Sequence, residues 1–317
     1  MTTRKVQAPG ASDIADAAAR LAPHLAPTPL IESPVLGSGV ALKLETLNPT
    51  GSFKVRGALS ALSQIDRGER VVTASTGNHA LGVAWAAGRL GVQATVVCPE
   101  TASSAKLDAL GRTEIDLVLH GTSPDEAEAH ALSLAGSGMR YISAYNDPHV
   151  IAGQGTLVAE LPAQDGEPLT IVTTVGGGGL AAGIGLAASG LDGARVVGVQ
   201  SEASHAMRAA LDAGRIVAVD ERPSLADGLA GNLEPGSVTF DLVRRHVDGV
   251  VLVSDQEIAA AIRLLAREHG LVVEGAGAAG VAALVSGRIG SRSGRTAILV
   301  TGRNITPSLF AQVLQAT

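Results

Sequence analysis

Seven short runs of Val, Ile, Leu and Thr, separated by Ala-rich stretches, set the tightest limit on how this chain can fold. They are Val71-Val-Thr-Ala74, Ala94-Thr-Val-Val-Cys98, Ile115-Asp-Leu-Val-Leu119, Thr170-Ile-Val-Thr-Thr174, Arg195-Val-Val-Gly-Val199, Val250-Val-Leu-Val253 and Thr296-Ala-Ile-Leu-Val300. Most are near-continuously apolar rather than alternating, the pattern of strands buried on both faces. The stretches 79–90, 103–110, 124–135, 149–161, 180–188, 204–213, 255–269 and 277–286 read as helices. Ser254-Asp-Gln-Glu257, placed before an apolar run, is a capping-box start. This alternation predicts a doubly wound α/β chain with parallel sheets. At 317 residues it exceeds one simple core and suits two domains or one large one.

Composition removes several classes of function. The net charge is −6, no basic block occurs, and one Trp, two Tyr and three Phe are the only aromatics. A nucleic-acid binder needs a basic footprint and stacking platforms, and neither is present. Cys98 stands alone, so no disulfide framework exists within the chain, and it reads as a small buried hydrophobe on a strand. The start MTTRKVQAPG has no apolar segment of the signal-peptide kind, and no run reaches 18 apolar residues. A cytoplasmic protein with no membrane partner is expected. Pro162–Pro168 reads as a short polar loop and residues 286–295 as a basic Gly/Ser loop.

Three polar loops follow predicted strands, where ligands of open α/β sheets bind. In the first, Val175 runs into Gly176, Gly177, Gly178 and Gly179 and then a helical stretch. Backbone free of side chains can turn several N–H groups inward, and the helix N-terminus adds its dipole, which makes a phosphate cradle. No Gly-Lys-Ser/Thr follows, so this is not a nucleotide P-loop. A dinucleotide fingerprint is weakened because the next strand ends at Gln200 rather than at an acid that would hold a ribose. The second loop, Ser75-Thr-Gly-Asn-His79, opens a helix; its residues either cap that helix or clamp a carboxylate. The third is Thr301-Gly-Arg-Asn304 after the last strand.

Lys54 sits in Thr50-Gly-Ser-Phe-Lys-Val-Arg56, at a junction into a helical pattern and without a nearby acid in sequence. Buried, such an amine falls in pKa and becomes a nucleophile. A phosphate cradle, an amine nucleophile and a carboxylate clamp together suggest pyridoxal phosphate holding an amino acid.

At these residues the chain resembles the fold-type II pyridoxal-phosphate enzymes, the threonine/serine dehydratase and serine racemase group. The matching pieces are Thr28-Pro-Leu30, Lys43-Leu-Glu45, Pro49-Thr-Gly-Ser-Phe-Lys-Val-Arg-Gly57, Ser75-Thr-Gly-Asn-His79, Val150-Ile-Ala-Gly-Gln-Gly-Thr156, Val175-Gly-Gly-Gly-Gly-Leu180, Ala226-Asp-Gly228, Glu274 and Val300-Thr-Gly-Arg-Asn304. The resemblance implies two open, doubly wound α/β domains of the tryptophan synthase β kind, with pyridoxal phosphate in the cleft between them. It implies that Lys54 binds the cofactor and moves the α-proton, that Phe53 packs beside the ring and that Asn78 bonds the ring hydroxyl. Gly176 to Gly179 would cradle the phosphate, Thr301 would meet the pyridine nitrogen, and Glu274 would lie near the cofactor. Ser75, Thr76, Gly77 and His79 would hold the substrate carboxylate. The implied reaction is deamination of L-threonine or L-serine to a 2-oxo acid and ammonia.

Departures from the family pattern shape the remaining expectations. Thr76 keeps a hydroxyl where many dehydratases have Ala and serine racemases have Ser, so racemase chemistry stays open. Gln200, Ser204 and Ala206 stand where several relatives bind a divalent cation, and no metal is expected. Tyr145 is expected near the substrate side chain, and Arg303 either binds an extra polar group of the substrate or points to solvent, which keeps 3-hydroxyaspartate and hydroxyectoine-derived amino acids among the substrates. The chain ends at Thr317, soon after the last motif, and no regulatory domain is expected. The expected division is a large domain of residues 1–68 plus 146–317 and a small one of 69–145, in a homodimer.

Overall fold

The computed structural model describes residues 4–165, 170–290 and 294–316. Its strands are β1 (Leu30–Glu32), β2 (Val40–Leu44), β3 (Arg70–Ala74), β4 (Gln93–Cys98), β5 (Asp116–Leu119), β6 (Arg140–Tyr141), β7 (Thr170–Thr174), β8 (Arg195–Ser201), β9 (Gly249–Val253) and β10 (Thr296–Val300). The helices are α1 (Ala11–Leu21), α2 (Lys54–Leu62), α3 (Asn78–Leu90), α4 (Ser104–Gly111), α5 (Pro124–Gly136), α6 (Pro148–Asp165), α7 (Gly179–Ala188), α8 (Ala206–Ala213), α9 (Val238–His246), α10 (Asp255–His269), α11 (Gly275–Val285) and α12 (Pro307–Gln315).

Two sheets form. One has the order β1-β2-β10-β7-β8-β9 and the other β5-β4-β3-β6. All pairings are parallel except β1 with β2. The apolar runs are these strands: every residue of β2 and β7 is buried. Helices cover both faces, which is why the runs lack alternation. One core cluster packs β2, β7, β8 and β10 against α10 and α11, and another joins α2, α3 and β3.

The local signals hold where they are chemically specific. Ser254 Oγ accepts from the Glu257 N–H at 3.3 Å, Glu257 Oε2 accepts from the Ser254 N–H at 2.7 Å, and α10 stops at Gly270, φ +64°. The run Ala152-Gly-Gln-Gly155 lies within α6. A Cβ on Gly153 would stand 2.6 Å from the Arg56 carbonyl oxygen, and one on Gly155 would stand 2.8 Å from that of Gly183. Those glycines let α6 press against α2 and α7. Residues 162–165 of the anticipated polar loop continue α6 instead; 166–169, and 291–293 of the basic loop, lie outside the described residues. Among the described residues no helix is long and apolar enough to cross a membrane.

Four parallel strands deliver the site. At their carboxyl ends, β3 runs into residues 75–79, β7 into the glycines and β10 into Thr301. The fourth, β2, leads through the turn Asn48–Gly51, with Gly51 at φ +73°, to Lys54 at the start of α2.

Candidate active site

These strand ends enclose a cavity of about 510 Å³, lined from both sheets. Phe53, Lys54, Ser75, Thr76, Gly77, Asn78, His79, Tyr145, Gly176, Gly177, Gly178, Gly179, Glu274 and Thr301 all line it. Residues far apart in sequence therefore meet, as when Asn304 Nδ2 donates to Asn78 Oδ1, 226 positions away, at 2.5 Å. Arg303 is not among the lining residues. It is exposed, its backbone N–H donates to the Gly51 carbonyl at 2.9 Å, and its side chain lies over Gly51. Of the two expectations for Arg303, this placement is the solvent-facing one.

Lys54 is half-buried, and its Nζ donates to the Ala144 carbonyl at 2.9 Å. The amine lies 5.4 Å from the centre of the Phe53 ring. Desolvation in the cleft pushes it down to about 8, while the Glu274 charge pulls it upward. An amine in this range is partly neutral near physiological pH and can both attack a carbonyl and carry a proton.

The cradle begins α7. Its N-cap, Gly178, has φ +89°, and no side chain caps the first N–H groups of the helix. These donors and the helix dipole suit an anion. The glycines are forced by packing as well. A Cβ on Gly178 would lie 2.6 Å from Met207 Cε, and one on Gly179 would lie 2.8 Å from Tyr145 Cα. Tyr145 is therefore a wall of the cradle. Its Oη accepts from the Glu234 N–H at 2.9 Å, and burial raises its phenol above the usual range.

In the loop after β3, Ser75 Oγ accepts from the Gly77 N–H at 3.3 Å, and α3 starts at Asn78 with no side-chain cap. That leaves a second uncapped helix N-terminus at the cavity, the feature a carboxylate clamp requires. His79 is buried, and its Nε2 lies 3.2 Å from the Ile142 carbonyl. Burial, with the Lys54 charge adding, pushes this imidazole down to about 3. It is neutral at physiological pH, with Nε2–H donating to the Ile142 carbonyl.

Asn78 Nδ2 donates to Glu274 Oε1 at 2.7 Å. Burial raises the Glu274 carboxyl to about 7; the Asn78 bond and the Asn304 N–H oppose the rise, and the Asp227 charge adds to it. Thr301 is buried, and its hydroxyl stands 3.5 Å from the Ala276 carbonyl, the outer limit for a hydrogen bond.

Sequence reasoning did not single out Ala144, whose contribution is a backbone carbonyl and carries no side-chain signal. It also passed over Lys106 and Asp227. Both line the cavity, and they form an ion pair of 3.0 Å from α4, beside the smaller sheet, to the loop before α9. Asp227 lies inside the quoted Ala226-Asp-Gly228 motif, which was the available signal. No group of three or more His, Cys, Asp or Glu that could hold a metal occurs among the described residues.

Comparison with known proteins gives the same picture. The family model described as "Pyridoxal-phosphate dependent enzyme" matches residues 21–302. The L-threonine ammonia-lyase of Thermotoga maritima is 40% identical over 89% of this chain and 71% of that protein. The catabolic L-threonine dehydratase TdcB of Escherichia coli is 37% identical over 86% of this chain and 85% of its own. Among solved structures, maize serine racemase superposes with a TM-score of 0.91 at 29% identity, covering 96% of this chain and 97% of that one. The processed threonine deaminase isoform 2 of Solanum lycopersicum gives 0.87 at 31% identity, covering 99% and 90%. The residues present fit the cofactor named by the family. The uncapped N-terminus of α7 and its glycines suit a phosphate, and Lys54 suits an aldehyde.

Proposed function

The chain belongs to the pyridoxal-phosphate-dependent enzyme family, in its fold-type II threonine/serine dehydratase group, and from that premise we propose that it is an ammonia-lyase for a small β-hydroxy amino acid, L-threonine or L-serine. The net reaction yields a 2-oxo acid and ammonia. The observation that carries this reading is the meeting, in one cavity, of the Lys54 amine with two uncapped helix N-termini. Relatives named for threonine ammonia-lyase and threonine dehydratase support it.

When bound, pyridoxal phosphate supplies the electron sink for the pair left when the α-proton departs. The chain's residues do the rest. Gly176 to Gly179 would hold the phosphate with backbone N–H groups, and Phe53, Asn78, Glu274 and Thr301, which line the same cavity, would border the ring. Residues 75–79 orient the substrate by its carboxylate at the start of α3. Lys54 Nζ would take the α-proton. Its pKa near 8 lets it give that proton up again at physiological pH. Residues 69–145 close over the cavity against the large domain of residues 1–68 and 146–317, excluding water. We place the enzyme in the cytoplasm as a homodimer, on the support of the resemblance and of a composition with one cysteine.

Racemisation is the second reading. Thr76 brings a hydroxyl to the cavity, and serine racemases are among the structural neighbours. Incubation with L-threonine, L-serine and 3-hydroxyaspartate separates the two. Release of 2-oxo acid and ammonia, abolished together with the visible cofactor band by Lys54→Ala, is expected. D-Serine formed without pyruvate would sink the lyase reading.

A further inference from the structure

Four charged side chains lie under the helix that carries Lys54, and the chemistry above uses none of them. Lys43, Glu45 and Arg56 are almost wholly buried, and Glu160 is 15% exposed. Lys43 Nζ lies 2.7 Å from Glu160 Oε2, and Arg56 Nη1 lies 2.5 Å from Glu160 Oε1. Two cations thus face two carboxylates inside the protein.

Glu45 is the hub. Its Oε1 accepts from Thr28 Oγ1 at 2.6 Å and from Arg56 Nη2 at 2.9 Å. Its Oε2 accepts from Asn48 Nδ2 at 2.7 Å and from Arg56 Nε at 2.7 Å. Four donors fill the acceptor capacity of one carboxylate. Two of its partners flank the reactive lysine. Asn48 opens the turn before it, and Arg56 stands in the first turn of α2 after it. Between them the Gly51 N–H donates to the Asn48 carbonyl at 2.9 Å and the Phe53 N–H to the Thr301 carbonyl at 3.0 Å. A single side chain therefore grips both ends of segment 48–56.

A buried ion cluster gains little stability over well-packed apolar groups of the same volume. What it does give here is a fixed length and direction for that segment. We propose that Glu45 is a positioning residue for Lys54: by clamping Asn48 and Arg56 it holds the amine at the Ala144 carbonyl, in line with the cavity. The inference rests on Lys54 being the residue that anchors the cofactor. An amide cannot replace the carboxylate, because its NH₂ would face donors from Asn48 or Arg56.

The experiment uses the full-length holoenzyme. Glu45→Gln, Asn48→Ala and the distant core variant Leu265→Ala are compared at temperatures where circular dichroism shows each folded. The share of chains carrying cofactor on Lys54 after borohydride reduction is read by mass spectrometry, and kcat and KM are measured separately. Wild-type attachment at Lys54 tests the underlying reading by itself. With that in place, Glu45→Gln and Asn48→Ala are expected to lower the attached share severalfold and kcat at least about tenfold, with KM within about threefold. Leu265→Ala, at an equal or larger loss of melting temperature, should leave both near wild type. Folded Glu45→Gln and Asn48→Ala proteins with wild-type attachment and kcat would overturn the proposal, as would an equal loss in Leu265→Ala. Should Glu45→Gln not fold, Asn48→Ala decides alone in the same terms.

Discussion

Lys54 costs the cofactor-free protein stability, and the cost can be read from pH alone. The amine is shifted from 10.5 to about 8 by desolvation, only partly offset by the Glu274 charge. Each pKa unit corresponds to about 1.4 kcal/mol, so the ceiling is about 3.5 kcal/mol. Partial exposure and the hydrogen bond to Ala144 bring the expected figure to about 1–3 kcal/mol. The sign follows from proton counting. Between about 8 and 10.5 the unfolded chain binds more protons at this site than the folded one, so stability rises with pH across that window. Below about 8 the penalty is complete, and above 10.5 it is absent. Lys54→Met removes the titrating group, and any change it makes in packing does not depend on pH. In urea denaturation of the cofactor-free proteins at pH 7 to 10.5, the margin of the variant over wild type is therefore largest at pH 7. It should shrink by about 1–3 kcal/mol by pH 10.5. Taking the difference is necessary because Cys98 works in the opposite sense: burial raises its thiol from 9.0 to about 11, which lowers stability as pH climbs through that range in both proteins. A margin that stays constant from pH 7 to 10.5 would refute the claim that the amine is held in a desolvated cleft.

Three more outcomes follow from the same geometry. Gly179→Ala forces a Cβ to 2.8 Å from Tyr145 Cα, an overpacking of about 1–3 kcal/mol at the cradle, and should reduce cofactor retained per chain after dialysis at least about tenfold. Glu274→Gln tests the raised carboxyl. Its folded pKa of about 7 lies above 4.5, so its contribution to stability is present below 4.5 and is lost as pH rises through about 7; the variant's melting temperature should lack that decline. Asp227→Asn breaks the ion pair with Lys106 across the cavity. Both groups are well exposed, so KM at low salt should rise less than about fivefold, and the difference from wild type should vanish in 0.5 M salt.

Much of this architecture is legible in sequence because buried parallel strands leave little choice of residue. All seven apolar runs are strands, and three of the loops that follow them meet at one cavity. Elements whose burial is shared among small side chains were harder to read. Helix α1 buries only Ile14, Ala17 and Leu21, and α9 and α12 lie in stretches mixed with polar residues. Side-chain direction was the least legible feature. Arg303 follows Thr301 and Gly302 in the loop, yet Gly51 at φ +73° opens a flat surface on which the guanidinium stem lies, away from the cavity. His79 carries the residue type of a ligand group, but its Nε2 is turned to the Ile142 carbonyl. In both cases the deciding partner is a backbone atom far away in the chain, which no local pattern encodes.

The partners of the site explain why it needs parts of both sheets. Segment 141–147 joins β6 of the smaller sheet to α6, and it supplies the Ala144 carbonyl to Lys54 and the Tyr145 wall to the glycines. Its Asn146 Oδ1 accepts from the Val238 N–H at 3.1 Å and its Nδ2 bonds Glu234, which Arg4 grips through Nη2 at 2.7 Å. Arg4 also lies over the Tyr141 ring, 4.9 Å from its centre. The amine, the cradle and the crossing between sheets are therefore fixed by one short stretch of chain. The acceptor of the Lys54 hydrogen bond, the Ala144 carbonyl, lies in the middle of this stretch. If the smaller domain closes as proposed above, a change that stiffens this crossing should lower kcat even when it touches neither cofactor nor substrate, because Lys54 Nζ is bonded to Ala144 within it.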